Sequence, residues 1–128
     1  MLDFAIERAR RNGASLHLVH ILEWSPYSFL TPQELAERHK HRTQELARAE
    51  KAIMAPAVAH AKAQGIADVT SEMKYGSIAD LLAQVAKDKG ATFIFVGRSG
   101  GGSIAARVFG SVPLALAQVS TVPVVIVP

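Results

Sequence analysis

The residues whose types and spacing could do chemistry lie between positions 92 and 112. An apolar run, Phe93, Ile94, Phe95 and Val96, ends at Gly97 and is followed by Arg98, Ser99, Gly100, Gly101, Gly102 and Ser103. Glycine adopts positive φ at little cost and has no Cβ to hold a ligand off the backbone. The glycines of this loop can therefore turn N–H groups toward an anion. Further on, Gly110 and Ser111 precede Val112, Pro113 and Leu114. Serine is a good helix N-cap and proline is tolerated in a first turn, so a helix is expected over 111–118. Its start offers unpaired N–H groups and the positive end of the helix dipole. Strand, glycine loop and helix start together read as a phosphate cradle. The alternative is a Gly/Ser surface loop without a ligand, and the second Gly-Ser at a helix start favours the ligand. The stretch matches neither G-x-G-x-x-G opening a helix nor the Gly-Lys-Ser/Thr phosphate loop.

The rest of the chain must position this stretch. Apolar residues at 2, 5, 6 and 9 have helical spacing, and Asn12-Gly13 reads as the stop. Residues 15–22 form a nearly continuous apolar run, as a strand covered on both faces requires. His17 and His20 fall on opposite faces of it. The segment 23–30 follows the strand's C-terminal end, where ligands bind in open α/β sheets. Its Trp24, Pro26, Tyr27 and Phe29 read as loop packing or as a lid over a purine. Thr31, Pro32 and Glu34 form a capping box that opens a long helix to about residue 64. Leu35, Leu46, Ala49 and Ile53 mark its buried stripe, and Pro56 should kink or divide it. Residues 38–42, with His39 and His41 two apart and not facing each other, read as a solvated face.

Residues 69–74 alternate as an edge strand does. Ser77 with Asp80 caps a helix to Lys89 that Gly90 ends. A final strand over 122–127 is bracketed by Pro123 and Pro128, which suits an edge or an early strand position. The order α-β-α-β-α-β-α-β means a parallel sheet wrapped by helices, hence an α/β fold with an open, doubly wound sheet.

A chain of 128 residues is long enough for one domain with a real core, and no repeat, linker or composition break divides 1–128. A net charge of +3 with dispersed cations gives little reason to expect nucleic acid as a partner. The absence of cysteine excludes disulfides and thiol catalysis and suits a reducing cytoplasm. No apolar run reaches the length of a membrane span, and the charged helical segment at the start does not read as a signal peptide.

Gly97, two residues, Gly100, nine residues, Gly110, Ser111 matches G-x2-G-x9-G-[ST]. In this the chain resembles the ATP-binding branch of the universal stress protein family, and the similarity runs over nearly its whole length. The resemblance implies a Rossmann-like or flavodoxin-like sheet of family order 3-2-1-4-5. It also implies ATP as the ligand, Mg²⁺ carried on the nucleotide, and a homodimer paired through the last strand, 122–127. Carried over position by position, it implies a site at Ile21, whose backbone would contact adenine, and at Gly97, Gly100, Gly110, Ser111 and Val112. Arg98 and Ser99 would reach phosphate or ribose, and Gly101, Gly102 and Ser103 would complete the phosphate loop.

One departure matters. The family opens with a central strand ending in an Asp that contacts the nucleoside. This chain starts at the helix that follows, and Asp3 lies inside that helix. Four strands could still close in the order 2-1-3-4, with weaker ATP binding than a chain carrying that strand.

Three functions follow as expectations. The leading one is a cytoplasmic ATP-binding stress-response module with at most slow hydrolysis, because no lysine sits in the glycine loop. A second is a structural or partner-binding domain of the same fold without nucleotide. A third is an enzyme using His20 as a base.

Overall fold

The computed structural model describes residues 1–23, 31–98 and 112–128. They form α1 (Leu2–Asn12), β1 (Leu16–Glu23), α2 (Pro32–Ala49), a π-helical turn (Glu50–Met54), α3 (Ala55–Ala63), β2 (Val69–Gly76), α4 (Ile78–Lys89), β3 (Ile94–Gly97), α5 (Val112–Val119) and β4 (Val124–Val127). The expected alternation of helix and strand is present, and the fold is α/β. The expectations for 24–30 and for the glycine loop and its bridge, 99–111, lie outside the described residues. Among the described residues no helix is long and apolar enough to cross a membrane.

The chain divides into two units. One holds Ala9–Gly76. Here β1 and β2 pair in parallel over eight residues, from Leu16 opposite Val69 to Glu23 opposite Gly76. The helices α2 and α3 and the π-helical turn between them pack on β2. Ala49, Met54, Ala61, Ile66 and Val69 are buried there, with Ile21 from β1. Thr31 caps α2 as expected, its hydroxyl accepting the Glu34 N–H at 3.2 Å.

Pro56 does divide the long helix. Proline lacks an N–H, and its ring collides with the carbonyl four residues back. The turn just ahead widens to π geometry, with the Ala55 N–H bonded to the Glu50 carbonyl. The buried stripe is narrower than its spacing suggested. Ala49 is buried and Leu46 half-buried, but Leu35 and Ile53 are 53% and 46% exposed. Within 38–42, His39, Lys40 and His41 are exposed as expected. Arg42 is not simply solvated, because its guanidinium lies 4.3 Å from the centroid of the Tyr75 ring. That stacking pairs a weakly hydrated cation with a negative aromatic face.

The other unit holds Met1–Arg8 and Ser77–Pro128. Its sheet is β3 and β4, parallel, from Ile94 opposite Val124 to Gly97 opposite Val127. The helix α5 packs on both strands and against α4, with Leu116 fully buried and Ala5, Ile6, Val85, Ala86 and Val127 also buried in this unit. Phe4 of α1 meets Phe95, their ring centroids 6.0 Å apart. Gly90 ends α4 in the left-handed region at φ 63°, and the Ala91 N–H then closes on the Ala86 carbonyl at 2.9 Å. Ser77 occupies the N-cap position, but its hydroxyl donates to Asp80 Oδ2 at 3.1 Å and caps no backbone N–H. The expected capping box is replaced by a side-chain pair.

The strands thus make two separate two-stranded sheets. Two pairings of a 2-1-3-4 order, β1 with β2 and β3 with β4, are present.

Candidate functional site

A parallel ladder engages every other residue of a strand, and the residues between turn their N–H and C=O groups to the opposite edge. On β3 the Ile94 N–H bonds the Pro123 carbonyl at 2.9 Å and the Arg98 N–H bonds the Val127 carbonyl at 2.8 Å. The residues of even number therefore face β4, and the backbone groups of Phe95 and Gly97 face away from it. The same rule applies to β1, where the Leu16 N–H bonds the Asp68 carbonyl at 3.0 Å. Leu16, Leu18, His20 and Leu22 serve the ladder to β2. The backbone groups of His17, Val19 and Ile21 do not.

Gly97 therefore ends β3 with a backbone that its ladder does not use. Its φ is not positive, so its conformation does not demand glycine. A Cβ built there would stand 3.6 Å from Met1 Cβ, an ordinary van der Waals contact. Among the described residues, neither backbone strain nor crowding asks for glycine at this position. Arg98 differs, since its N–H is committed to Val127 and its exposed side chain is the part left for a ligand.

Val112 is the first residue of α5, with Pro113 second and buried. The missing N–H of Pro113 costs nothing in a first turn, and Leu116 holds the helix on its unit. The structure thus places Gly97, Arg98 and Val112 in one unit, at the end of β3 and the start of the helix packed on it. Ile21 belongs to the other unit, buried on β1 with its backbone turned off the ladder. Ser99, Gly100, Gly101, Gly102, Ser103, Gly110 and Ser111 lie outside the described residues. Also among the described residues, no group of three or more His, Asp or Glu side chains could hold a metal ion.

Parallel strands alternating with helices, with a glycine ending β3 and a helix packed on that strand, define an α/β chain of flavodoxin-like kind. Comparison with known proteins narrows this. The family model described as "Universal stress protein family" matches residues 1–128. The chain belongs to the universal stress protein family. No curated protein sequence matches it.

Among solved structures, a universal stress protein in complex with cAMP is 28% identical with a TM-score of 0.69, the match covering 98% of this chain and 82% of that one. The universal stress protein UspA from Lactobacillus plantarum is 21% identical with a TM-score of 0.81, over 98% of this chain and 86% of that one. A universal stress protein from Archaeoglobus fulgidus in complex with dAMP is 21% identical with a TM-score of 0.59, over 99% of this chain and 84% of that one. The two at 21% identity speak for the fold alone.

Proposed function

We propose that the chain is an adenine-nucleotide-binding regulatory module of the cytoplasm, with ATP as its ligand and Mg²⁺ arriving on the nucleotide. Phosphates would lie on the glycine loop, Gly100 to Ser103, and at the helix start, Gly110, Ser111 and Val112. Arg98 and Ser99 would reach ribose or phosphate, and the backbone of Ile21 would read adenine. The observation that carries this reading is Gly97, a glycine at a strand end with no described structural need for one. Its backbone is turned off the ladder at the head of the G-x2-G-x9-G-[ST] spacing. The 28% identical protein in complex with cAMP supports an adenine nucleotide as the class of ligand. Hydrolysis would be slow at most. The dimer would form through β4, whose outer edge is uncharged and apolar.

Equilibrium binding of labelled ATP to the purified chain and to Gly110→Val tests the proposal. Wild type should bind, and the variant should not, because a branched side chain would stand where backbone must approach phosphate. ATP bound equally by both would mean that the site is assigned wrongly, and cAMP as competitor tells whether the ligand is ATP or adenine nucleotides generally.

A second reading, a partner-binding domain without nucleotide, is favoured by one observation. Met1, Phe4 and Phe93 are all large apolar residues left exposed in one unit, and such surface commonly marks an interaction site. Absence of ATP binding by wild type would select it.

A further inference from the structure

The β1–β2 pair carries a second group of reactive side chains. His17 stands directly opposite Thr70, and Glu72 lies two residues along β2 from Thr70, so all three share one face of the pair. Thr70 Oγ1 is 2.6 Å from His17 Nδ1, and Glu72 Oε1 is 3.1 Å from His17 Nε2. An ionised carboxylate only accepts, so Nε2 holds the proton. In the neutral form of the ring Nδ1 then carries the lone pair, to which the Thr70 hydroxyl donates. The His17 side chain is only 18% exposed, whereas Thr70 is exposed. A shielded, oriented base thus points at an open hydroxyl. Nucleophile, base and orienting carboxylate within hydrogen-bond reach are the arrangement that activates a hydroxyl for acyl transfer.

We propose that Thr70 is an acyl-acceptor site for activated esters, with His17 as general base and Glu72 as the positioning residue. Thr70 Oγ attacks the acyl carbon and forms the new C–O bond while its proton passes to Nδ1. The carbonyl electron pair moves onto oxygen, then returns as the bond to the leaving alkoxide or phenoxide breaks with its electron pair. The Nδ1 proton passes to solvent, and the carboxylate of Glu72 stabilises the ring while it is charged.

Strand N–H groups lie in the plane of the sheet, across the direction of the side chains. Among the described residues they give no oxyanion hole at Thr70, so neither acylation nor deacylation gains that stabilisation. Acylation is driven by the good leaving group of the activated ester, whereas deacylation must expel the poor threonine alkoxide, so the acyl group stays and the site fills once per chain.

The test is the intact chain treated with p-nitrophenyl acetate and mapped by peptide mass. The chain supplies its own controls. The Thr43 hydroxyl donates to the His39 carbonyl, so its proton is not on an imidazole, and the Thr31 oxygen is engaged as acceptor of the Glu34 N–H. A positioned general base is worth about 10²–10⁴ in rate, so Thr70 should be acetylated at least about 100-fold faster than Thr31 or Thr43. His17→Gln should bring Thr70 down to the rate of those controls, and Thr70→Ser should keep the fast reaction at the same position.

Nitrogen NMR of the His17 ring should show the Nε2–H tautomer in wild type and a mixture in Glu72→Gln, a signature that a purely structural role of Glu72 would not move. Thr70 labelled no faster than Thr43 in wild type, or as fast in His17→Gln, overturns the proposal. The Nδ1–H tautomer in wild type does the same.

Discussion

Gly97→Ala should move stability and nucleotide affinity in opposite directions. In the structure the added methyl meets Met1 Cβ at 3.6 Å and the backbone is not in the left-handed region. Alanine is therefore accepted without strain. Replacing glycine by alanine at a compatible position stabilises by about 0.4–1 kcal/mol, chiefly by narrowing the unfolded ensemble. With an unfolding entropy of about 2.1 cal mol⁻¹ K⁻¹ per residue over 128 residues, the melting temperature should rise by about 1–4 °C. Against this, the methyl stands on the backbone proposed to face the nucleotide. Loss of one hydrogen bond to a charged group costs about 1.5–3 kcal/mol, which is roughly ten- to a hundred-fold in affinity. Differential scanning fluorimetry gives the first quantity and titration calorimetry with ATP the second. A higher melting temperature with unchanged ATP affinity would refute the ligand-facing role of Gly97. A lower melting temperature would refute the packing argument, because a methyl that fits cannot unfold the strand end.

Two other substitutions probe the elements around the site. Leu116→Ala empties a fully buried position on α5 and should cost about 2–5 kcal/mol, seen as a lower urea midpoint and as weaker ATP binding, since this residue seats the proposed phosphate helix. A urea midpoint equal to wild type would mean that α5 is not held through Leu116. Ile126→Lys puts a charge on β4, where Ile126 is 48% exposed, and should halve the solution mass measured by light scattering if the chain pairs through β4; a dimer that persists would place the interface elsewhere.

Local signals were legible wherever one residue type answers one geometric need. Asn12-Gly13 and Gly90 marked helix ends because a residue in the left-handed region was required, and both glycines are there, at φ 62° and 63°. Pro56 marked a break because its ring forbids a regular turn before it. The sequence did not reveal how the break would be made, since a π turn and a kink both relieve the same collision. Leu35 and Ile53 misled for a different reason. Helical spacing reports which residues share a face, and burial depends on how far the neighbouring element reaches. Ser77 likewise chose between two acceptable hydrogen bonds, and the nearby carboxylate of Asp80 won over the backbone.

What the sequence hid were the consequences of register. His17 and Thr70 are 53 residues apart, and nothing local in either strand announces that Leu16 pairs with Val69 and not with a neighbour. A shift of one residue would turn His17 away from both Thr70 and Glu72. The same register decides which backbone groups remain for a ligand. Because Leu16 and Ile94 bond into their ladders, Ile21 and Gly97 fall on the residues between and keep their N–H and C=O groups off them. The family resemblance pointed to Ile21 as the position after the strand His20 and to Gly97 as the head of the glycine spacing, and alternation along a parallel strand supplies a physical reason. A contact through the backbone needs a residue that its own sheet leaves unused, and each strand can offer one only at every second position.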